Sequence, residues 1–279
     1  MDTPGLEASR ESNPEEIALC RATLYAALAL GFSAPTDDTV RRFGSETGAA
    51  TLIKAAAILD EQRASSERLD SDLSGTRLAP AFQALASAAQ AGLPALAAAY
   101  SALLRHTARG PVPPYETEYG NESLFQQPQA LGDLMGFYRA FGLEVDASTH
   151  ERPDHISCEC EFLSFLSLKE VYALERGDLE TLERTRNAER LFLRDHLGRF
   201  MPAFAARLVR EQESGFYRLL ADAGLRLVSQ ECAGFRVRLG ESGLALRPSD
   251  DERVPIACGD GAECAALPGA CGPERDEPT

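Results

Sequence analysis

Residues 153–177 read PDHISCECEFLSFLSLKEVYALERG. Apolar side chains fall on nearly every face of a 3.6-residue period here, the pattern of a helix surrounded by other helices. Pro153 followed by Asp154 has the form of a helix start, and Gly177 that of a stop. A central helix of this kind requires a shell of neighbours, and the flanking sequence supplies them.

Asn13, Pro14, Glu15 and Glu16 form a second start: a capping side chain, proline at the first helical position, and acids facing the helix dipole. Ile17, Cys20, Leu24 and Leu28 then recur at helical spacing as far as Gly31. Thr36 caps a short helix ending near Gly44, and another runs from about 45 to 64. The polar run SSERLDSDLSGT, 65–76, is a linker. Helices are expected over about 78–91, 93–107 and 128–144, then from a cap at Asp178, with two more ending near Gln230. Ala and Leu dominate and β-branched residues are scarce. The expectation is therefore an all-α protein, one helical bundle of about ten helices over 14–230. Residues 1–13 read as a disordered N-terminus and 249–279 as a flexible tail rich in Pro, Gly and acids. Between bundle and tail, at 231–248, Phe235, Val237 and Leu239 alternate with arginines, and Leu244 and Leu246 follow a Gly-Glu-Ser-Gly turn, the pattern of a small β-hairpin.

The 279 residues carry 43 acidic against 28 basic side chains, a net charge of -15. Such a surface repels nucleic acid and anionic lipid heads and favours a basic partner. With no long apolar run and an acidic, polar N-terminus, no direct membrane insertion and no secretory signal are expected, and the location is cytoplasmic. Arg41 and Arg42 form an arginine pair, but the residues after them read as an ordinary charged helix rather than an export signal. The seven cysteines match no disulfide framework, so reduced thiols are expected. Cys258, Cys264 and Cys271 in the tail are one ligand short of a closed tetrahedral site, and a tail without fixed ligands is the better reading.

Two stretches carry candidate chemistry. In YSALLRHTARGPVPPYETEYG, 100–120, an Ala/Leu helix breaks at Gly110 and prolines carry the chain into Tyr115, Glu116, Glu118 and Tyr119. Prolines restrain such a loop and reduce the entropy lost when a ligand docks. In ERPDHISCECE, 151–161, His155 and Glu159 share a helix face with Asp154 near the positive end of the dipole. That cluster suits a cationic ligand, or a simple helix cap. A metal set of His155, Cys158 and Glu159 lacks a second ligand-bearing segment, and no Glu-x-x-His pair of a di-iron bundle occurs. An enzyme reading, a metal-dependent hydrolase or nucleotide-processing protein using His155 and nearby acids, is the alternative. Hydrolase-elbow, P-loop and dinucleotide motifs are absent from the sequence.

Taken in order, YSALLRHTARGPVPPYETEYG, LGDLMGFYRAFGLE, ERPDHISCECEFLSFL and FLRDHLGRFMPAFAARL resemble the TorD/DmsD/NarJ family of redox-enzyme maturation chaperones over roughly residues 15–230. The resemblance implies an all-helical, non-catalytic protein with no cofactor of its own. Its partners would be the twin-arginine signal peptide and the apo catalytic subunit of a molybdoenzyme of the dimethyl-sulfoxide-reductase superfamily, held for cofactor insertion before export. The family's aromatic-x-x-Leu-Phe element falls on Tyr100, Leu103 and Leu104, its Pro-Pro-Tyr-Glu element on Pro113, Pro114, Tyr115 and Glu116, and its acid-Pro-Asp-His element on Glu151, Pro153, Asp154 and His155. Leu104 replaces the common phenylalanine, and Phe200 stands where many relatives have tryptophan. The residues expected to bind peptide are Tyr100, Leu103, Leu104, Pro114, Tyr115, Glu116, Tyr119, Glu151, Pro153, Asp154, His155 and Glu159. Carboxylates beside an aromatic-lined groove, Phe125 included, would suit a leader with two arginines and an apolar run. Packing alone is the other account of the aromatics.

Overall fold

The computed structural model describes residues 13–66, 77–104, 110–120, 127–145 and 151–247. The chain divides into two units, Met1–Arg247 and Pro248–Thr279, and all of these residues belong to the first. Most of the expected N-terminal segment and linker, together with Phe125 and the tail bearing Cys258, Cys264 and Cys271, lie outside the described residues.

Among the described residues ten α-helices carry the fold: α1 (Pro14–Phe32), α2 (Asp37–Gly44), α3 (Glu46–Ser66), α4 (Leu78–Ala89), α5 (Leu93–Leu103), α6 (Gln127–Ala140), α7 (Ile156–Arg176), α8 (Leu179–Asp195), α9 (Leu197–Glu211) and α10 (Phe216–Gly234). Asn13 caps α1 by accepting the Glu15 N–H at 3.2 Å. At the far end of α7, Gly177 takes the left-handed conformation, φ 64°, and Asp178 then caps α8 by accepting the Thr181 N–H at 3.0 Å. The all-α expectation holds, and α7 lies against α1, α8 and α9, but it is not enclosed on every face: Leu168 and Tyr172 are about half exposed. Leu24, Tyr25, Leu28 and Phe32 of α1 are buried together with Leu163 and Leu166 of α7.

Where α8 gives way to α9 the chain turns at His196, and the turn is tight enough that a side chain at Gly198 would collide with the Leu193 carbonyl and with Cys232. Glycine is therefore dictated there first by the elbow's own backbone at Leu193 and then by Cys232 of α10.

Two expectations change. First, α7 begins at Ile156, not at Pro153, because Pro153 and Asp154 belong to a turn whose backbone is pulled into a pairing described below. Second, residues 235–247 form no hairpin: no strand ladder occurs among the described residues. The period-two alternation is real, with Phe235, Val237 and Leu239 half-buried and Arg236 and Arg238 exposed. Its apolar side is laid on the helical bundle instead of on a partner strand. Gly240 serves contact rather than a turn. Its N–H donates to the Gly198 carbonyl at 2.9 Å, and a side chain there would run into the Arg199 backbone.

Candidate functional site

The proline-built loop is held at both ends by antiparallel one-residue bridges. At its start Tyr115 pairs with His155: Glu116 N–H donates to the Asp154 carbonyl at 2.9 Å and Ile156 N–H to the Pro114 carbonyl at 2.8 Å. At its end Tyr119 pairs with Leu246: Gly120 N–H donates to the Ala245 carbonyl at 2.8 Å and Arg247 N–H to the Glu118 carbonyl at 2.9 Å. Between the bridges Glu116–Glu118 make a single 3-10 turn. The Pro-Pro-Tyr-Glu and acid-Pro-Asp-His elements are thus two sides of one structure.

Its carboxylates are already engaged by arginines of this chain. Asp154, fully buried, accepts from the Thr117 N–H at 3.2 Å and hydroxyl at 2.7 Å, and from Arg152 at 2.9 and 2.7 Å. Arg152 also reaches Glu118 at 3.3 Å, and its guanidinium lies 4.4 Å from the centre of the Tyr115 ring. Glu116, 1% exposed, holds Arg199 at 2.8 and 3.2 Å on one oxygen and His196 at 3.0 Å on the other. Glu118 takes Arg247 at 3.0 and 3.1 Å. Three carboxylates therefore face three guanidinium groups.

Glu159 completes the cluster differently. Burial, then the negative charges of Glu116 and Asp154, drive its carboxyl well above the usual carboxylate range.

His155 is the N-cap of α7: Ser157 N–H donates to its Nδ1 at 3.2 Å, and the Ser157 hydroxyl lies 2.6 Å from the same nitrogen. Its Nε2 faces Glu151 at 3.8 Å and its ring stacks edge-on against Tyr115 at 5.4 Å. A nitrogen that accepts the cap bond is not available to a metal in this arrangement. Burial pushes the Cys158 thiol up to about 12, far from thiolate character. Among the described residues no three His, Cys, Asp or Glu side chains are grouped to hold a metal ion.

The remaining expected residues are brought in from the core side. Tyr100, Leu103 and Leu104 are buried, and Val112 N–H returns to the Leu103 carbonyl at 3.1 Å, so the end of α5 backs the loop. Tyr119, also buried, donates its hydroxyl to the Pro113 carbonyl at 2.9 Å and packs on Phe200 and Phe204 at 5.7 and 6.4 Å. Pro153 accepts the Tyr138 hydroxyl at 2.8 Å. These aromatics line the inner side of the loop, not an open groove.

Open space lies on the other side. A groove of about 740 Å³ runs between α6 and the α8–α9 elbow, with Glu116, His196 and Arg199 in one wall and Gly132, Gly136 and Ala140 in the other. A side chain placed at Gly132 or Gly136 would meet nothing within 4 Å, so α6 presents bare backbone to the groove. Asp133 and Asp195 add two further carboxylates. Sequence reasoning missed Arg152, His196, Arg199 and Arg247. The signal for the first was in plain view, since four acids within two short motifs need compensating charge once buried.

The family model described as the nitrate reductase delta subunit matches residues 67–206. The chain belongs to this family. Similar curated proteins include the perchlorate reductase assembly chaperone protein of Dechloromonas aromatica (strain RCB), 34% identical over 104 residues, 37% of this chain and 45% of that protein. The chlorate reductase assembly chaperone protein of Ideonella dechloratans is 40% identical over 78 residues, 28% of this chain and 39% of its own length. The selenate reductase assembly chaperone protein of Thauera selenatis is 36% identical over 111 residues, 40% of this chain and 53% of its own length. The chain thus spans about half the length of the curated relatives it matches. No solved structure matches it. The family match contains both bridge partners at the start of the loop but ends before residues 235–247. No described helix is long and apolar enough to cross a membrane.

Proposed function

We propose that this chain is a non-catalytic chaperone for the assembly of a molybdenum-containing reductase of the dimethyl-sulfoxide-reductase superfamily. It acts in the cytoplasm, holding the apo catalytic subunit and its twin-arginine leader while the cofactor is inserted. Family membership and relatives named as assembly chaperones support the class of function. The observation that carries the leader-binding part is the position of Glu116. This carboxylate, on the loop fixed by the two family motifs, forms the wall of a groove whose opposite wall is glycine backbone. An arginine-bearing helix needs both: an acceptor for the guanidinium, which Glu116 becomes by exchanging the part-exposed Arg199 for it, and a wall low enough for its backbone to approach. Asp133 of α6 supplies the second acidic contact that paired arginines require, Asp195 being held on both oxygens by Arg194 at 2.6 Å.

Calorimetry with a synthetic peptide of two adjacent arginines followed by an apolar, helix-forming run tests this reading. It should bind at least about tenfold more tightly than the same peptide with both arginines replaced by glutamine. Gly136→Leu fills the groove at a position with no neighbours and should abolish binding without lowering the melting temperature. Equal affinity for the two peptides, or binding indifferent to Gly136→Leu, would contradict it.

A further inference from the structure

Residues 235–247 follow α10 and lie beyond the segment the family model matches. They run past the α8–α9 elbow, touch it through Gly240, and end on the far edge of the 115–120 loop. The contacts there are of three kinds. Gly120 and Arg247 exchange backbone hydrogen bonds with Ala245 and Glu118, at 2.8 and 2.9 Å. Leu244 and Leu246 turn toward the core while Ala245 is exposed. The Arg247 guanidinium sits on both oxygens of Glu118, at 3.0 and 3.1 Å, with 14% of its side chain exposed. Glu118 is also reached by Arg152 at 3.3 Å. Backbone pairing for affinity, alternate side chains for register and an arginine on a carboxylate are the means by which an extended peptide is recognised at a sheet or loop edge.

We propose that residues 244–247 are a built-in pseudo-ligand, occupying an edge of the 115–120 loop that accepts an extended partner segment bearing apolar residues and an arginine. This rests on the reading of the loop as a docking surface and adds its regulation. The two ends of the loop differ in a way that suits exchange. The Tyr115–His155 bridge is enclosed, with both residues buried and Asp154 beneath it fully covered. By contrast, the Tyr119–Leu246 bridge is made by a half-buried strap. A tethered competitor of this kind acts at an effective concentration on the order of millimolar, so it suppresses weak partners and yields to one that also fills the neighbouring groove.

The test uses the full chain and a synthetic peptide, ESGLALRPSD, copied from residues 241–250 and added in trans. Arg247→Gln removes the ion pair while leaving the backbone donor; Arg247→Pro removes both. The peptide should bind Arg247→Pro at least about tenfold more tightly than wild type, with Arg247→Gln between them. Replacing the peptide's arginine by glutamine should erase the gain. Should Arg247→Pro fail to fold, Arg247→Gln carries the comparison alone. Equal affinities for wild type and Arg247→Gln, or a gain that survives loss of the peptide's arginine, would overturn the proposal. Because this probe comes from the chain itself and has a single arginine, its result is independent of the twin-arginine peptide. If ESGLALRPSD binds the variants and the twin-arginine peptide does not, the strap stands and the leader-binding reading falls.

Discussion

Two arginine–carboxylate nodes built from the same chemistry stand in different relations to the fold. One centres on Arg21 of α1, 6% exposed, which donates to Glu170 of α7 at 2.5 Å, Glu189 of α8 at 2.9 Å and Glu231 of α10 at 2.6 Å. A single guanidinium here ties four helices, and its face lies 5.2 Å from the centre of the Phe235 ring. The other node is the loop cluster, where Arg152, Arg199 and Arg247 arrive from three separate segments, with side chains 32%, 28% and 14% exposed. In the first, one buried cation is shared by three carboxylates, of which Glu170 also holds Arg186 at 2.7 Å. In the second, the carboxylates are held by three part-exposed arginines, Arg152 serving both Asp154 and Glu118, so Glu118 keeps Arg152 when the Arg247 guanidinium is exchanged for one from outside.

The largest effect expected from this contrast is on stability. Arg21→Ala leaves Glu189 and Glu231 without their guanidinium, Glu170 keeping Arg186, and should cost about 3–5 kcal/mol in urea denaturation, or prevent folding. Asp154→Ala removes the acceptor shared by Thr117 and Arg152 and should cost about 2–3 kcal/mol, with the twin-arginine peptide no longer bound. A loss as small at Arg21 as at Arg247 would erase the distinction between the nodes.

The next effect is a pH slope. Burial, opposed by Arg21 and reinforced by Glu170 and Glu231, raises Glu189 from the usual 4.5 to about 7. The folded state then binds more protons than the unfolded state between these values, so stability falls as pH rises through that window. Glu159 and Glu231, also raised chiefly by burial, act in the same sense. Glu189→Gln should flatten the decline measured by thermal melting between about pH 4.5 and 7; an unchanged slope would place the titration elsewhere. Smaller still is Arg247→Gln, expected to cost about 1 kcal/mol while changing peptide affinity. Arg184→Ala, on an exposed pair with Glu180 at 3.5 Å, should stay within about 0.5 kcal/mol.

Much of this architecture could be read from local sequence. Asn13-Pro14 marks the start of α1, Gly177 and Asp178 mark the passage from α7 to α8, and the all-round apolar pattern of α7 fixes its central place. Those signals act within a turn or two. The start of α7 was displaced because Pro-Asp looks the same at a helix terminus and in a turn; the pairing with Pro114 and Glu116, some forty residues away, decides between them. Likewise the 235–247 alternation correctly gave an extended segment with one apolar side, but its partner is the bundle and the loop edge rather than its own second half. Arg21 had a local signal, a lone charge in IALCRATLYAALALG, whereas its three partners are brought together only by packing of α7, α8 and α10. The expected peptide-binding residues do gather at one loop. Their burial was not legible, because it depends on which arginines of the same chain reach them.

Hydrogen exchange across the loop tests the central claim, that the 115–120 segment is the docking surface. The amides of Glu116 and Ile156 report the enclosed bridge, and those of Gly120 and Arg247 report the strap. With saturating twin-arginine peptide, the account predicts that the Arg247 amide loses protection as the strap is displaced, while Glu116 and Ile156 stay protected. Unchanged exchange at Gly120 and Arg247, with altered protection confined instead to the groove of about 1120 Å³ around Leu59, Leu182 and Phe235, would contradict it.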